Sequence, residues 1–179
     1  MRKGNNSLAS ISLAALAWLL VTSPAQTCEP QPGGGQPPVQ IRRPAQGDDV
    51  RLITGFGMRV HPLLNTRRMH TGVDWAAPIG TPVIAAGSGH VVFAAVKGEY
   101  GNAIVIDHGG GWQTLYSQLS LIEVSVGDCV VLGALIGKVG STGLSSGPHL
   151  HFEVQKNGQP IDPLSVGLDN EPPEPADSK

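Results

Sequence analysis

Beyond residue 25, no window longer than a few residues keeps a helical period, which excludes a mainly α fold. A basic stripe is also missing. Lys and Arg number 12 against 14 Asp and Glu, for a net charge of −2, so the chain lacks the electrostatic footprint of a nucleic-acid binder. The one long apolar run, Leu8 to Val21, is too short, and too abruptly followed by Pro24, to make a membrane span. Cysteine is scarce. Cys28 and Cys129 are the only two, and their spacing leaves open one bridge or two free thiols. No Ser-His-Asp arrangement is legible, so Ser145 and Ser146 are not read as nucleophiles.

What stands at the N-terminus reads as an export signal. Arg2 and Lys3 make a positive start, the apolar run follows, and Ser23-Pro24-Ala25 supplies small residues where a signal peptidase cuts. Residues 1–25 are therefore expected to be removed, and loss of the two cations takes the chain from −2 to −4. Residues 26–48, dominated by Pro, Gly and Gln, read as an extended leader, and the acidic, proline-rich residues 169–179 read as a tail. Residues 49–168 between them suffice for one domain with a real hydrophobic core. Export puts this domain in the periplasm or outside the cell, with no stable membrane insertion once the signal is gone. A Cys28–Cys129 bridge would staple the leader to the domain, whereas a reduced Cys28 could reach a metal as a thiolate.

The domain reads as mainly β, a single antiparallel sheet or sandwich. Short runs rich in Val, Ile, Leu and aromatics occupy Pro82–Ala86, His90–Val96, Ala103–Asp107, Thr114–Gln118, Cys129–Leu132, Leu135–Val139 and His149–Gln155. Glycine-rich turns separate them, among them Gly87-Ser88-Gly89, Gly109-Gly110-Gly111 and Gly140 to Gly147.

The chemistry concentrates in the histidines. His149-Leu150-His151 lies in the last strand, where a period of two presents both imidazoles on one face. His70-Thr71-Gly72-Val73-Asp74 contains Gly72 and two β-branched residues, so it reads as a loop running into a strand, able to bring His70 and Asp74 onto one ion. With one histidine of the pair, the set is two imidazoles and one carboxylate. That leaves the fourth tetrahedral position of Zn2+ open to water, as in a catalytic site, and cysteine ligands of a closed structural site are absent. His61, His90 and His108 lack a paired ligand and read as structural or exposed, and Arg59 as a partner for a carboxylate or carbonyl. Asn102 and Tyr116 read as groove-lining residues, or as turn and packing residues respectively.

Several of these segments together resemble one family. Gly55-Phe56-Gly57-Met58-Arg59-Val60-His61-Pro62, His70 to Asp74, Gly80-Thr81-Pro82-Val83, Tyr100-Gly101-Asn102 and Gly143 to Glu153 are similar, in order and content, to lysostaphin- and LytM-type peptidoglycan endopeptidases. The resemblance covers residues 51–164 and implies an open β-sheet groove, peptidoglycan stem peptides as substrate and cleavage by metal-activated water in a monomer. It implies His70, Asp74 and His151 as zinc ligands and His149 as a catalytic histidine. One position departs. Tyr116-Ser117-Gln118 stands where the family carries Tyr-x-His, so Gln118 occupies the place of a second catalytic histidine. An amide can donate a hydrogen bond to a developing oxyanion but cannot exchange a proton near neutral pH. Two expectations follow: a zinc endopeptidase tuned or weakened by Gln118, or a wall-binding or regulatory module that does not cut. A biotinyl- or lipoyl-like carrier would need a lysine at an exposed hairpin tip, and Lys138 lies inside an apolar strand instead.

Overall fold

The computed structural model describes residues 43–167 apart from Gln46. The expected signal, most of the expected leader and the tail lie outside the described residues.

Among the described residues the strands are, in chain order, β1 (Arg51–Thr54), β2 (Gly57–Val60), β3 (Arg67–His70), β4 (Val73–Ala76), β5 (Pro82–Ile84), β6 (Gly89–Val96), β7 (Asn102–Gly109), β8 (Trp112–Leu119), β9 (Leu121–Ile122), β10 (Cys129–Val130), β11 (Leu135–Lys138), β12 (His149–Lys156) and β13 (Gln159–Ile161). Two 3₁₀ turns, Gly98–Tyr100 and Pro163–Val166, are the only helical pieces among them. The fold is thus mainly antiparallel β, as expected. All seven predicted strands occur at their predicted places. The strands not predicted are short or lack alternation: β3 reads R-R-M-H, with no apolar period to announce it.

The main sheet has the order β1-β4-β12-β8-β7-β6-β10, with β13 on the end of β12. A three-stranded sheet, β5-β11-β9, covers one of its faces, and β2 with β3 forms a separate two-stranded ribbon. The core lies between the two larger sheets. Leu150, Phe152 and Val154 alternate along β12 into this core and meet Trp75, Tyr116, Val83 and Ile136, all buried. Trp75 and Tyr116 flank Phe152 with ring centroids 5.9 and 5.2 Å away, tilted in the manner aromatic quadrupoles favour. Tyr116 is therefore a packing residue, fully buried. Lys138 is on β11, 4.0 Å from Glu123, and not at a hairpin tip.

Residues 43–45, read from sequence as the end of the leader, lie against β5. Ala45 is fully buried and bridges Val83, and the Ile84 amide donates to Pro44 O at 2.8 Å. Cys129, at the head of β10, is disulfide-bonded. The chain's other cysteine, Cys28, lies outside the described residues.

His108 is a satisfied core histidine. Its Nδ1 is 2.8 Å from Ser88 O and its Nε2 is 2.7 Å from Thr114 Oγ1. Thr114 Oγ1 is 2.9 Å from the Tyr116 hydroxyl, which accepts the Ala86 amide at 2.8 Å. Ser88 O only accepts, so Nδ1 carries the proton. The chain then closes with every hydrogen placed if Tyr116 donates to Thr114 and Thr114 to a neutral Nε2. Burial lowers the His108 pKa against the opposing pull of Ser88 O and Asp107. The neutral ring is thus favoured in the folded state, and its contribution is present above the unfolded value and lost as pH falls. Urea unfolding should show the wild-type midpoint falling relative to that of His108→Gln progressively from about pH 7 to 5, since the unfolded imidazole titrates near 6.5. Parallel pH profiles for the two proteins would contradict the buried neutral ring.

Candidate metal centre

The site begins with strand register. His151 on β12 pairs directly with Asp74 on β4, and His149 with Ala76. Directly opposed residues in an antiparallel pair share a face, so Asp74, His149 and His151 all stand on the side away from the Phe152 core. His70 ends β3, and only Thr71-Gly72 separates it from β4. The expected loop into a strand is therefore a junction of two strands belonging to different sheets. Gly72 is required there: a Cβ would stand 2.1 Å from Phe152 O and 3.0 Å from Glu153 Cγ, so β4 could not pass β12 with any other residue.

Three donor atoms converge. His70 Nε2 is 3.1 Å from Asp74 Oδ1 and 3.1 Å from His151 Nδ1, and His151 Nδ1 is 2.8 Å from Asp74 Oδ1. All three residues are buried, and they are the one set of His, Cys, Asp or Glu among the described residues close enough to share an ion. The outer hydrogen bonds determine which ring nitrogen faces inward. His70 Nδ1 is 2.7 Å from Gly55 O, an obligate acceptor, so the proton sits on Nδ1 and Nε2 is bare. His151 Nε2 is 3.1 Å from Glu153 Oε1. Burial opposes the Glu153 charge, but hydrogen bonds from His151 and Thr71 outweigh it and hold the carboxyl down to about 2. An ionised Glu153 only accepts, so His151 carries a proton on Nε2 and turns Nδ1 inward. Two imidazole lone pairs and a carboxylate oxygen then face one point, an arrangement that a divalent cation satisfies and that nothing in the protein does.

Without an ion, a proton must take that place. Burial disfavours an imidazolium at His151, yet hydrogen bonds to Asp74 and Glu153 overcome it and push the pKa up to about 9. Asp74 is correspondingly held well below the ordinary carboxylate range: burial raises it, but His151 and His70 pull it down further.

Glu153 is the residue sequence reasoning quoted without giving it a role. Fully buried, it also accepts from Thr71 Oγ1, from the Tyr100 hydroxyl at 2.8 Å and, on Oε2, from Gln155 Nε2 at 2.8 Å. Burial and the Glu153 charge raise Tyr100 to about 12, so its hydroxyl stays a donor. The readable signal was period two: His149, His151 and Glu153 share one face of β12.

His149 Nδ1 is 2.8 Å from Gly147 O and 3.2 Å from Ser145 Oγ, while Nε2 lies 3.9 Å from Asp74 Oδ1. The carbonyl claims the Nδ1 proton, so Nε2 presents its lone pair beside the three donors. Ser145 has a positioning role that its sequence context did not announce. Its hydroxyl lies 2.7 Å from Gly147 O and accepts the Gly147 amide at 3.2 Å, which shapes the turn that His149 leans on.

Gln118 lines the groove but is mostly buried, with φ +66°. Its Oε1 accepts the Gly143 amide at 2.7 Å and its Nε2 donates to Glu99 O at 3.3 Å, while the Leu144 amide donates to the same Glu99 O at 2.7 Å. The side chain thereby ties residues 143–144 to the 98–100 turn. Asn102 reinforces the tie through Thr142 and Leu119 O. Arg59, half-buried, meets Asp74 Oδ2 at 3.4 Å, the carboxylate partner expected for it. His61 Nδ1 accepts the Leu63 and Leu64 amides, each at 3.3 Å, so it caps a turn at the groove's edge. His90 is exposed on β6.

Because the metal-free His151 holds its proton up to about 9, a metal must displace that proton. Apparent affinity should therefore fall by about tenfold per pH unit on acidification below that value. Glu153→Gln, which removes the anchor that turns Nδ1 inward, should weaken metal binding by about 10–100-fold. Competition titrations against a chromophoric chelator would measure both, and pH-independent affinity would contradict the proton-displacement account.

Comparison with known proteins identifies relatives of the chain. The profile of peptidase family M23 matches residues 68–163. The chain is 52% identical over 119 residues to the DD-carboxypeptidase/endopeptidase Mpg of Neisseria meningitidis, covering 66% of this chain and 27% of that protein. It therefore spans about a quarter of that relative's length. Among solved structures, a zinc-containing peptidase from Vibrio cholerae superposes with a TM-score of 0.64 at 34% identity, over 75% of this chain and 41% of that one. The catalytic domain of lysostaphin from Staphylococcus simulans does so with a TM-score of 0.60 at 36% identity, over 66% and 92% respectively. With the family profile spanning more than half of its length, this chain belongs to peptidase family M23.

Proposed function

We propose that the chain is a zinc metalloendopeptidase that hydrolyses peptide cross-links of bacterial peptidoglycan, in the periplasm or outside the cell. The observation that carries this reading is the triad of His70 Nε2, Asp74 Oδ1 and His151 Nδ1, with both ring tautomers held by acceptors behind them and His149 Nε2 at its edge. Relatives named as DD-carboxypeptidase/endopeptidase and peptidoglycan DD-endopeptidase support the substrate class and direct it to bonds between D-amino acids.

Zinc held by His70, Asp74 and His151 would supply Lewis acidity, activating water and polarising the scissile carbonyl. The protein does the rest. His149 accepts the proton of the attacking water on Nε2 and returns it to the leaving amine, while Gly147 O keeps Nδ1–H in place throughout. One hydrogen of the Gln118 amide goes to Glu99 O, and the other has no partner among the described residues. That second hydrogen is free to donate to the oxyanion that forms on the substrate. Proton transfer thus rests on His149 alone.

A second reading, a wall-binding module that does not cut, draws support from the same residue. The Gln118 amide is engaged by backbone on both sides, as a purely structural clamp would be. Turnover of purified peptidoglycan by the zinc-loaded chain, with fragments identified by mass spectrometry, separates the two. We expect fragments that His70→Ala does not release, and His149→Ala lowering the rate by about 10²–10⁴-fold while still holding zinc. An absence of fragments from protein that demonstrably holds zinc would favour the module. Gln118→His is the variant expected to raise the rate, because imidazole adds a group that titrates near neutral pH.

A further inference from the structure

The β2–β3 ribbon carries a charge arrangement at the edge of the metal centre. Its register pairs Met58 with Met69 and Arg59 with Arg68. Opposed residues share a face, so Met58 and Met69 stand together, both exposed, and Arg59 and Arg68 stand together, both lining the groove that holds the donor triad, as Met69 also does. Like charges directly opposite one another destabilise a strand pair, and no acid lies within the ribbon to offset them.

Each guanidinium makes one carboxylate contact where five N–H donors are available. Arg59 meets Asp74 Oδ2 at 3.4 Å, and Arg68 meets Glu99 Oε2 at 3.2 Å. The second pair is exposed, its side chains 46% and 62% accessible, and such a pair contributes little. The Glu99 backbone, by contrast, is pinned, its carbonyl taking hydrogen bonds from Leu144 N and Gln118 Nε2. The carboxylate can therefore swing off Arg68 without any backbone moving. Arg68 lies two residues before His70 on the same face of β3, which places this cation immediately beside the reacting centre.

We propose that Arg68, with Arg59 opposite it, forms a carboxylate-binding subsite at the mouth of the groove, where an acidic peptide displaces Glu99 from Arg68. The inference rests on the peptidase reading and adds to it the charge of the substrate next to the bond that is cut. Planar guanidinium matches a carboxylate in two-point geometry, which a carboxamide does not reproduce. The carboxylate can be chain-terminal or borne on a side chain, and the chemistry at Arg68 is the same for either.

The test uses the zinc-loaded full chain and a synthetic cross-linked stem peptide, compared with versions in which its carboxylates are converted one at a time to carboxamides. Binding is measured by calorimetry, and cutting by fragment analysis. The wild type should prefer the free acid at one position by about tenfold, the scale of a charge-assisted pair, and the position affected tells a terminal from a side-chain carboxylate. Arg68→Gln should bring that ratio to near one. Glu99→Gln should tighten binding of the acidic peptide, a sign opposite to that expected if the Arg68–Glu99 pair merely braces the groove. An unchanged preference in Arg68→Gln, or weaker binding in Glu99→Gln, overturns the subsite. Peptides cut with no carboxylate preference leave the peptidase reading standing and remove the subsite. Discrimination in binding without any cutting does the reverse.

Discussion

The arrangement rests on one cross-strand register, that of β12 against β4. Because His151 stands opposite Asp74, a carboxylate and an imidazole face the same side within 2.8 Å. The next residues along β12, Leu150 and Phe152, are thereby driven into the core against Trp75 and Tyr116. A slip by one residue would exchange the two faces, exposing Phe152 and burying the imidazoles among aromatics. The hydrophobic core thus specifies the site: burial of the alternate positions holds the donors in register. Gly72 completes the arrangement, since only a residue without a side chain lets β4 leave the β3 junction so close to Phe152 O.

Around that register the polar contacts form two shells of unequal rigidity. Behind the donors, Gly55 O and Glu153 determine ring tautomers from buried positions, and Thr71, Tyr100 and Gln155 in turn satisfy Glu153. The donors on this side are carried at strand positions and buried. The other wall is mostly loops, where Gln118 from the end of β8, Glu99 O and Gly143 N knot the 98–100 turn to residues 143–144, and Ser145 shapes the turn beneath His149. Loop-borne walls on a strand-borne centre are a common division between chemistry and recognition. The exposed Arg68–Glu99 pair joins β3 to the 98–100 turn at the mouth of the groove.

Much of this was legible before any coordinates. Alternation in H-L-H-F-E placed two imidazoles on one face, and by the same count it placed Glu153 with them. The glycine-punctuated apolar runs located seven strands. At His70–Asp74 the strand after the junction was legible but the strand before it was not, because R-R-M-H carries no apolar alternation and reads as a loop. The place of residues 43–45 was also hidden. A Pro/Gly/Gln-rich context signals an extended chain, and extended chain is also what adds an edge to a sheet, as Ala45 does beside Val83. His108 could be read only as lacking a paired ligand. Its neutral, fully bonded state depends on Ser88, Thr114 and Tyr116 meeting in space.

By itself the sequence determined the fold class, the two histidine-bearing segments and the donor types, because period-two patterning and side-chain chemistry are local properties. Tertiary structure decided which histidine of the pair faces the other donors, which ring nitrogen it offers, what Gln118 holds and which cations line the groove. Those depend on register between strands distant in the chain and on the carbonyls and carboxylates standing behind each ring, and neither leaves a local trace.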